Sequence, residues 1–238
     1  LQFVVNLGWT KYWRSGDIEA AFLQGKKRDV EKYGRLFLKP LKNTTLEGVC
    51  AGSLLEVVLS VYGLPDAPRA WWENLTGFLT DVLEFVHSRM DQAFLIWYYP
   101  ESEKQSTVRP GTGAPGSVGA VLVIHVDDLM IATDGTPRTE VLVDQLRERF
   151  PFGQWTEVWQ TKKTVYTGRT IEVVTESEVT LCQSDYIHGR MSQLPARKSK
   201  NRAKDDPCTQ YEQEDFQSSV GDLHWVTSQS RPDHALDT

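Results

Sequence analysis

Three aspartates stand where ionised acids are ordinarily costly. Asp17 lies just ahead of Ala20, Ala21 and Phe22, and Asp127-Asp128 separate two apolar runs in VGAVLVIHVDDLMIAT (118–133). A carboxylate among apolar neighbours needs a compensating cation. No Lys or Arg lies within SGDIEAAFLQG (15–25) or within 118–133. A hard divalent cation would compensate, because Mg²⁺ favours one or two carboxylates plus phosphate oxygens. Aspartate is also a turn former, so type and spacing equally allow a hairpin tip whose acids face water. Asp205-Asp206, in a polar stretch, reads as such a solvated pair.

The acids must be positioned by the elements around them. Residues 118–133 read as a hairpin carrying both acids at its turn, and 15–25 as a short strand and turn. Residues 1–14 read as the tail of a helix and a turn, and Arg35 to Lys39 as a half-buried strand. Asp66 and Pro68 give a helix start, Asp66 as cap and Pro68 in the first turn. Trp71, Leu75, Phe78, Leu79, Val82, Leu83 and Val86 then recur at helical spacing, predicting one buried face. Ala93 to Tyr99 reads as a buried strand. Thr136-Pro137 caps a helix with Val141, Leu142, Leu146 and Phe150 inward. Residues 163–182 read as a second hairpin turned near Glu176, followed by a short helix from Ser184. A last helix is predicted from Glu212 to about Ser228.

Composition sets the outer bounds. The 238 residues, 40% hydrophobic and 24% charged, exclude a wholly disordered chain and suffice for one sizeable core. No apolar run approaches the roughly 20 residues of a membrane-spanning helix. The start lacks the pattern of a signal peptide, so an intracellular, non-secreted protein without a membrane partner is expected, in a cytoplasmic particle or the nucleus. Three scattered cysteines argue against a disulfide scaffold or zinc ribbon. The net charge of −6 argues mildly against a nucleic-acid grip, but charge distribution decides that. Two basic clusters stand out, Lys26-Lys27-Arg28 and Arg197 to Lys204, and each also reads as a solvated loop.

Several ordered motifs together resemble the reverse transcriptase of Ty1/copia-type retrotransposons. They are SGDIEAAFLQG (15–25), VYGLPDAPRAWW (61–72), IHVDDLMIA (124–132), YTGRTIEV (166–173), LCQSDYI (181–187) and VGDLHWVTSQSRPD (220–233). The resemblance implies an α+β polymerase palm: an antiparallel sheet with flanking helices, partial fingers and a thumb-like segment. It implies a reverse transcriptase domain over 1–194, with partial fingers and palm in 1–150 and the thumb-like segment in 163–194. A basic linker at 195–210 and the start of a connection region at 211–238 would follow.

The implied activity is RNA-directed DNA polymerisation at two Mg²⁺ ions, with Mn²⁺ as a substitute. Asp17 and Asp127 would bridge both metals, Asp128 would support them, and the Ile18 carbonyl could add a ligand. Ala21 and Phe22 match the nucleotide-binding positions, with the Phe22 ring excluding a 2′-hydroxyl. Gly63, Ala67, Pro68 and Arg69, with His125 and Val126, match positions at template and primer. Implied partners are an RNA or DNA template with primer, deoxynucleotide triphosphates and the remainder of a Pol polyprotein.

The chain also departs from the family. His125 replaces an aromatic, Pro65-Asp66 replaces Lys-Gln, and Thr167 replaces Leu. Only 16 residues precede Asp17, and the chain stops soon after Asp233, so the basic upstream fingers and a ribonuclease H domain are expected to be missing. A polyprotein fragment or decayed genomic copy fits this. An inactive palm remnant that at most binds nucleic acid is the alternative. A hydrolase using paired carboxylates is a third reading, but it leaves the other motifs unexplained.

Overall fold

The structure is a computed structural model that describes residues 1–40, 47–50, 52–100, 116–190 and 207–230. Helix α1 (Gln2–Asn6) and a 3₁₀ turn lead into β1 (Trp13–Ile18). A second 3₁₀ turn (Ala21–Gln24) follows, then α2 (Val30–Tyr33), β2 (Phe37–Leu38) and β3 (Leu55–Glu56). The middle of the chain forms α3 (Ala67–Asp81), β4 (Val86–His87), β5 (Phe94–Tyr98), β6 (Val118–His125), β7 (Asp128–Thr133) and α4 (Pro137–Arg149). Then come β8 (Phe152–Glu157), α5 (Val158–Thr161), β9 (Lys163–Tyr166), β10 (Arg169–Val173), β11 (Val179–Cys182), α6 (Ser184–Arg190) and α7 (Gln210–Gln229).

The architecture is mixed α+β. Six antiparallel strands form the main sheet in the order β4-β5-β6-β7-β1-β8. Successive side chains of each strand point to opposite faces. One face sends Ile18, Leu122, Ile124, Leu129 and Ile131 into a core closed by Trp71, Leu75 and Leu79 of α3 and Leu142 and Leu146 of α4. The other sends Trp13, Val121, Met130 and Ala132 against Ile171 and Val173 of β10, the middle strand of a three-stranded sheet β11-β10-β9. The main sheet is thus covered on both faces, by helices on one and by a small sheet on the other.

Local chemistry explains most boundaries. Thr136 caps α4 by accepting the Thr139 N–H, and Pro137 follows at a position that needs no donor. A capping box of Thr209 and Glu212 starts α7. Gly16 sits where β1 meets the rings of β8: a Cβ there would lie 2.6 Å from Phe152 and 2.8 Å from Trp155. Buried Arg14, on the helix face of β1, donates to both carboxylate oxygens of Glu140 on α4 and to Glu157 on β8.

Several expectations need correction. Strand β1 begins at Trp13, so the end of 1–14 is strand and not turn. Strand β8 completes the sheet beside β1, in a segment with no clear alternation. Residues 163–182 form three strands rather than a hairpin, because Thr167-Gly168 makes an extra tight turn with φ of 50° and 74°. The 35–39 strand shrinks to Phe37–Leu38, both exposed. Val82, Val86 and Val141 lie outside the core, because α3 stops at Asp81 and Val143 takes the inward place on α4. Asp66 flanks α3 without a side-chain cap bond, since Arg28 and Ser60 hold its carboxylate. The basic run Arg197 to Lys204, Asp205-Asp206 and the terminal Arg231-Pro232-Asp233 lie outside the described residues. No helix among the described residues is long and apolar enough to cross a membrane.

Candidate active site

Strands β6, β7 and β1 bring the three aspartates to one end of the main sheet. In the antiparallel register Asp17 lies directly opposite Asp128, although 111 positions separate them in sequence. Directly opposed residues share a face, here the face away from α3 and α4. Asp127 sits in the two-residue turn between His125 and Asp128, and its carbonyl accepts the Ile18 N–H at 3.0 Å. That bond ties the turn to the strand carrying Asp17.

The turn is strained and clamped. Val126 has φ of 59°, a left-handed conformation that a β-branched side chain disfavours. The indole Nε1 of buried Trp71 donates to the Val126 carbonyl at 2.6 Å, so α3 holds the turn from the helix side. Ala20 and Thr167 also have positive φ, one three residues after Asp17 and the other donating its N–H to Asp128. Such strain clusters at functional sites because only a stable surround maintains it.

Asp17 and Asp128 face a cleft of about 300 Å³ between the end of the main sheet and β9. Gln154, opposite Asp17 on β8, joins them, while Ser15 and Thr164 share a hydrogen bond of 2.7 Å across its floor. Lys163 also lines the cleft, but its amine pairs with Asp185 at 2.9 Å. None of the three aspartates has an ion-pair partner among the described residues.

The charges accordingly repel. Partial burial, then the charge of Asp127, pushes the Asp17 carboxyl above its ordinary range. Burial raises Asp128 too, with Asp127 and Asp17 adding to it, while the Thr167 N–H and His125 pull the other way. Burial, then Asp128, pushes the Tyr166 phenol up. The oxygen-only donors fit hard divalent cations. Among the described residues, however, no three His, Cys, Asp or Glu side chains already converge into a metal cage.

The other sequence-derived positions fall on both sides of this end. Ile18 and Ala21 are buried, and the half-buried Phe22 ring lies 4.9 Å from Tyr62. Gly63 and Pro68 are exposed and Ala67 is buried, at the start of α3. Arg69 is exposed and pairs with Glu73 at 2.8 Å. His125 and Val126 are exposed at the turn. Sequence reasoning missed Trp71, Gln154 and Thr167 as neighbours of the acids. The Thr-Gly dipeptide was a usable turn signal, whereas Gln154 carried none. No protein-family model matches the chain, and no curated protein matches it.

Proposed function

We propose that this chain is the palm of a template-directed DNA polymerase of the Ty1/copia reverse-transcriptase type. The observation that carries the reading is the meeting of Asp17 and Asp128 in register, with Asp127 in the turn bonded to the same strand. Asp17 and Asp127 would hold the metal ions and Asp128 would support them, with the Ile18 carbonyl as a further oxygen. Bound divalent cations would supply a more nucleophilic primer 3′-hydroxyl and neutralise charge on the leaving pyrophosphate. The chain's own residues would do the positioning. The Phe22 ring, braced by Tyr62, would sit under the sugar and leave no room for a 2′-hydroxyl. Gly63, Ala67 and Pro68 would let the templating base approach the backbone closely. Arg69 would have to leave Glu73 to meet a phosphate. His125 and Val126, exposed at the turn, would meet the primer end.

Primer extension on an RNA template with Mg²⁺ or Mn²⁺ tests this. The parent should extend and Asp127→Asn should not, at equal primer binding. Extension surviving in Asp127→Asn would remove Asp127 from catalysis. The second reading is a palm that only binds nucleic acid. It predicts primer binding without extension at any concentration of either metal.

A further inference from the structure

A second polar cleft, of about 260 Å³, opens beside the first turns of α3 and shares no lining residue with the cleft of the acids. Lys26, Lys27, Lys32 and Arg69 line it, with Tyr33 at its wall. The loop that presents them is built and not loose. Arg28 is largely buried and donates to Asp66 at 2.6 Å and to the Tyr33 and Gly34 carbonyls at 3.3 and 3.4 Å. The Lys26 N–H bonds the Ala70 carbonyl, the Arg28 N–H bonds the Val58 carbonyl, and Lys27 bridges Leu59. Arg28 is therefore the frame of the cluster, not part of a solvated loop.

The frame also decides which charges remain. Arg28 and Ser60 take up Asp66, and Arg69 takes up Glu73. Asp29 is partly engaged as the cap of α2, accepting the Lys32 N–H. Lys26, Lys27 and Lys32 are exposed and make no ion pair among the described residues. In a chain of net charge −6, this is a local excess of cations on an ordered loop. A flat ring stands beside them: Tyr33 in the wall, with the Arg28 guanidinium 5.4 Å and the Lys32 ammonium 4.9 Å from its centre. Cations that track phosphates, beside an aromatic ring that already holds a mobile cation, are the makings of a single-strand site.

We propose that this cleft binds the phosphate backbone of single-stranded nucleic acid, with exposed Lys32 leaving the Tyr33 ring for a phosphate and a base taking its place there. The choice of a nucleic acid over another polyanion rests on the polymerase reading above. The lysines would each meet a phosphate, and the bonds of Arg28 would spare the loop most of its ordering cost on binding.

Fluorescence anisotropy with a labelled 20-nucleotide single strand, without metal or nucleotide, tests the proposal across a salt series. Replacing Lys26, Lys27 and Lys32 together by alanine should weaken binding at least tenfold at low salt. It should also flatten the salt dependence by about two in the slope of log K against log salt, at roughly 0.7 per phosphate contact. Replacing the same three by arginine should retain binding. Tyr33→Ala should weaken binding about tenfold and leave the slope unchanged. Asp127→Asn should bind like the parent, so strand binding can succeed where polymerisation fails. Unchanged affinity and slope in a folded triple alanine variant would overturn the proposal. So would preference for phosphatidylserine vesicles over the oligonucleotide.

Discussion

Each aspartate at the end of the sheet is defined by what surrounds it. In the metal-free protein Asp17 and Asp128 hold protons more tightly folded than unfolded. The folded state then binds more protons between the ordinary carboxylate value and the raised one, so stability falls as pH rises through that window. Below it both states are protonated and the penalty vanishes. Asp128→Asn should therefore raise the melting temperature at pH 7, with the gain shrinking below about pH 4. Added Mg²⁺ should narrow the difference by stabilising the parent alone. Melting curves of parent and variant from pH 3.5 to 8 check this, and a gain that grows on acidification would refute mutual repulsion. The acids were legible as a set through their apolar surroundings and the motifs. Trp71 was legible only as a core residue, because helical spacing says which way a ring points and not what its N–H meets. Trp71→Phe keeps an aromatic ring, deletes the bond to Val126 and leaves a small cavity, so it should cost about 2–3 kcal/mol. The Ile18 amide, bonded to the Asp127 carbonyl, should exchange faster with solvent. Unaltered Ile18 protection would mean that the indole does not pin the turn.

At the scale of elements, strong periodicity translated into structure and weak periodicity did not. The 118–133 hairpin, α4 and α7 lie where apolar runs, caps and helical spacing placed them. Strand β8 was illegible because a strand closing a sheet edge beside glycine needs little alternation of its own. Its identity comes from tertiary pairing with β1, which no local window contains. Arg14 makes the same point, since its partners lie 126 and 143 residues away. It joins β1, α4 and β8, and Arg14→Met would leave Glu140 and Glu157 without it. Each of those carboxylates keeps about a third of its side chain exposed, so the loss should be about 2–3 kcal/mol, below that of a fully buried pair. Urea unfolding of Arg14→Met, alone and combined with Glu140→Gln, measures it. A second change that recovers none of the loss would show that stranded charge is not the cause.

Across the whole molecule, two sheets and two helices hold one end of β1 and β7 with little freedom. Net charge was a poor guide at this scale: −6 describes the total, while Lys26, Lys27 and Lys32 gather on one loop. Sequence spacing marked that cluster but could not separate the structural Arg28 from the lysines beside it. The pairing of β6, β7 and β1 also limits how such a chain can change over generations. His125 meets Asp128, Ile124 meets Leu129, and Asp128 meets Asp17, with only Val126 and Asp127 between the paired strands. A one-residue slip would turn every side chain of a strand to the other face. A single inserted or deleted codon in the hairpin would send Asp128 towards the helices and Leu129 into the cleft, though every acid was still encoded. Descendants of this sequence can therefore exchange residues along the hairpin, but a change in its length removes the site as surely as losing an aspartate.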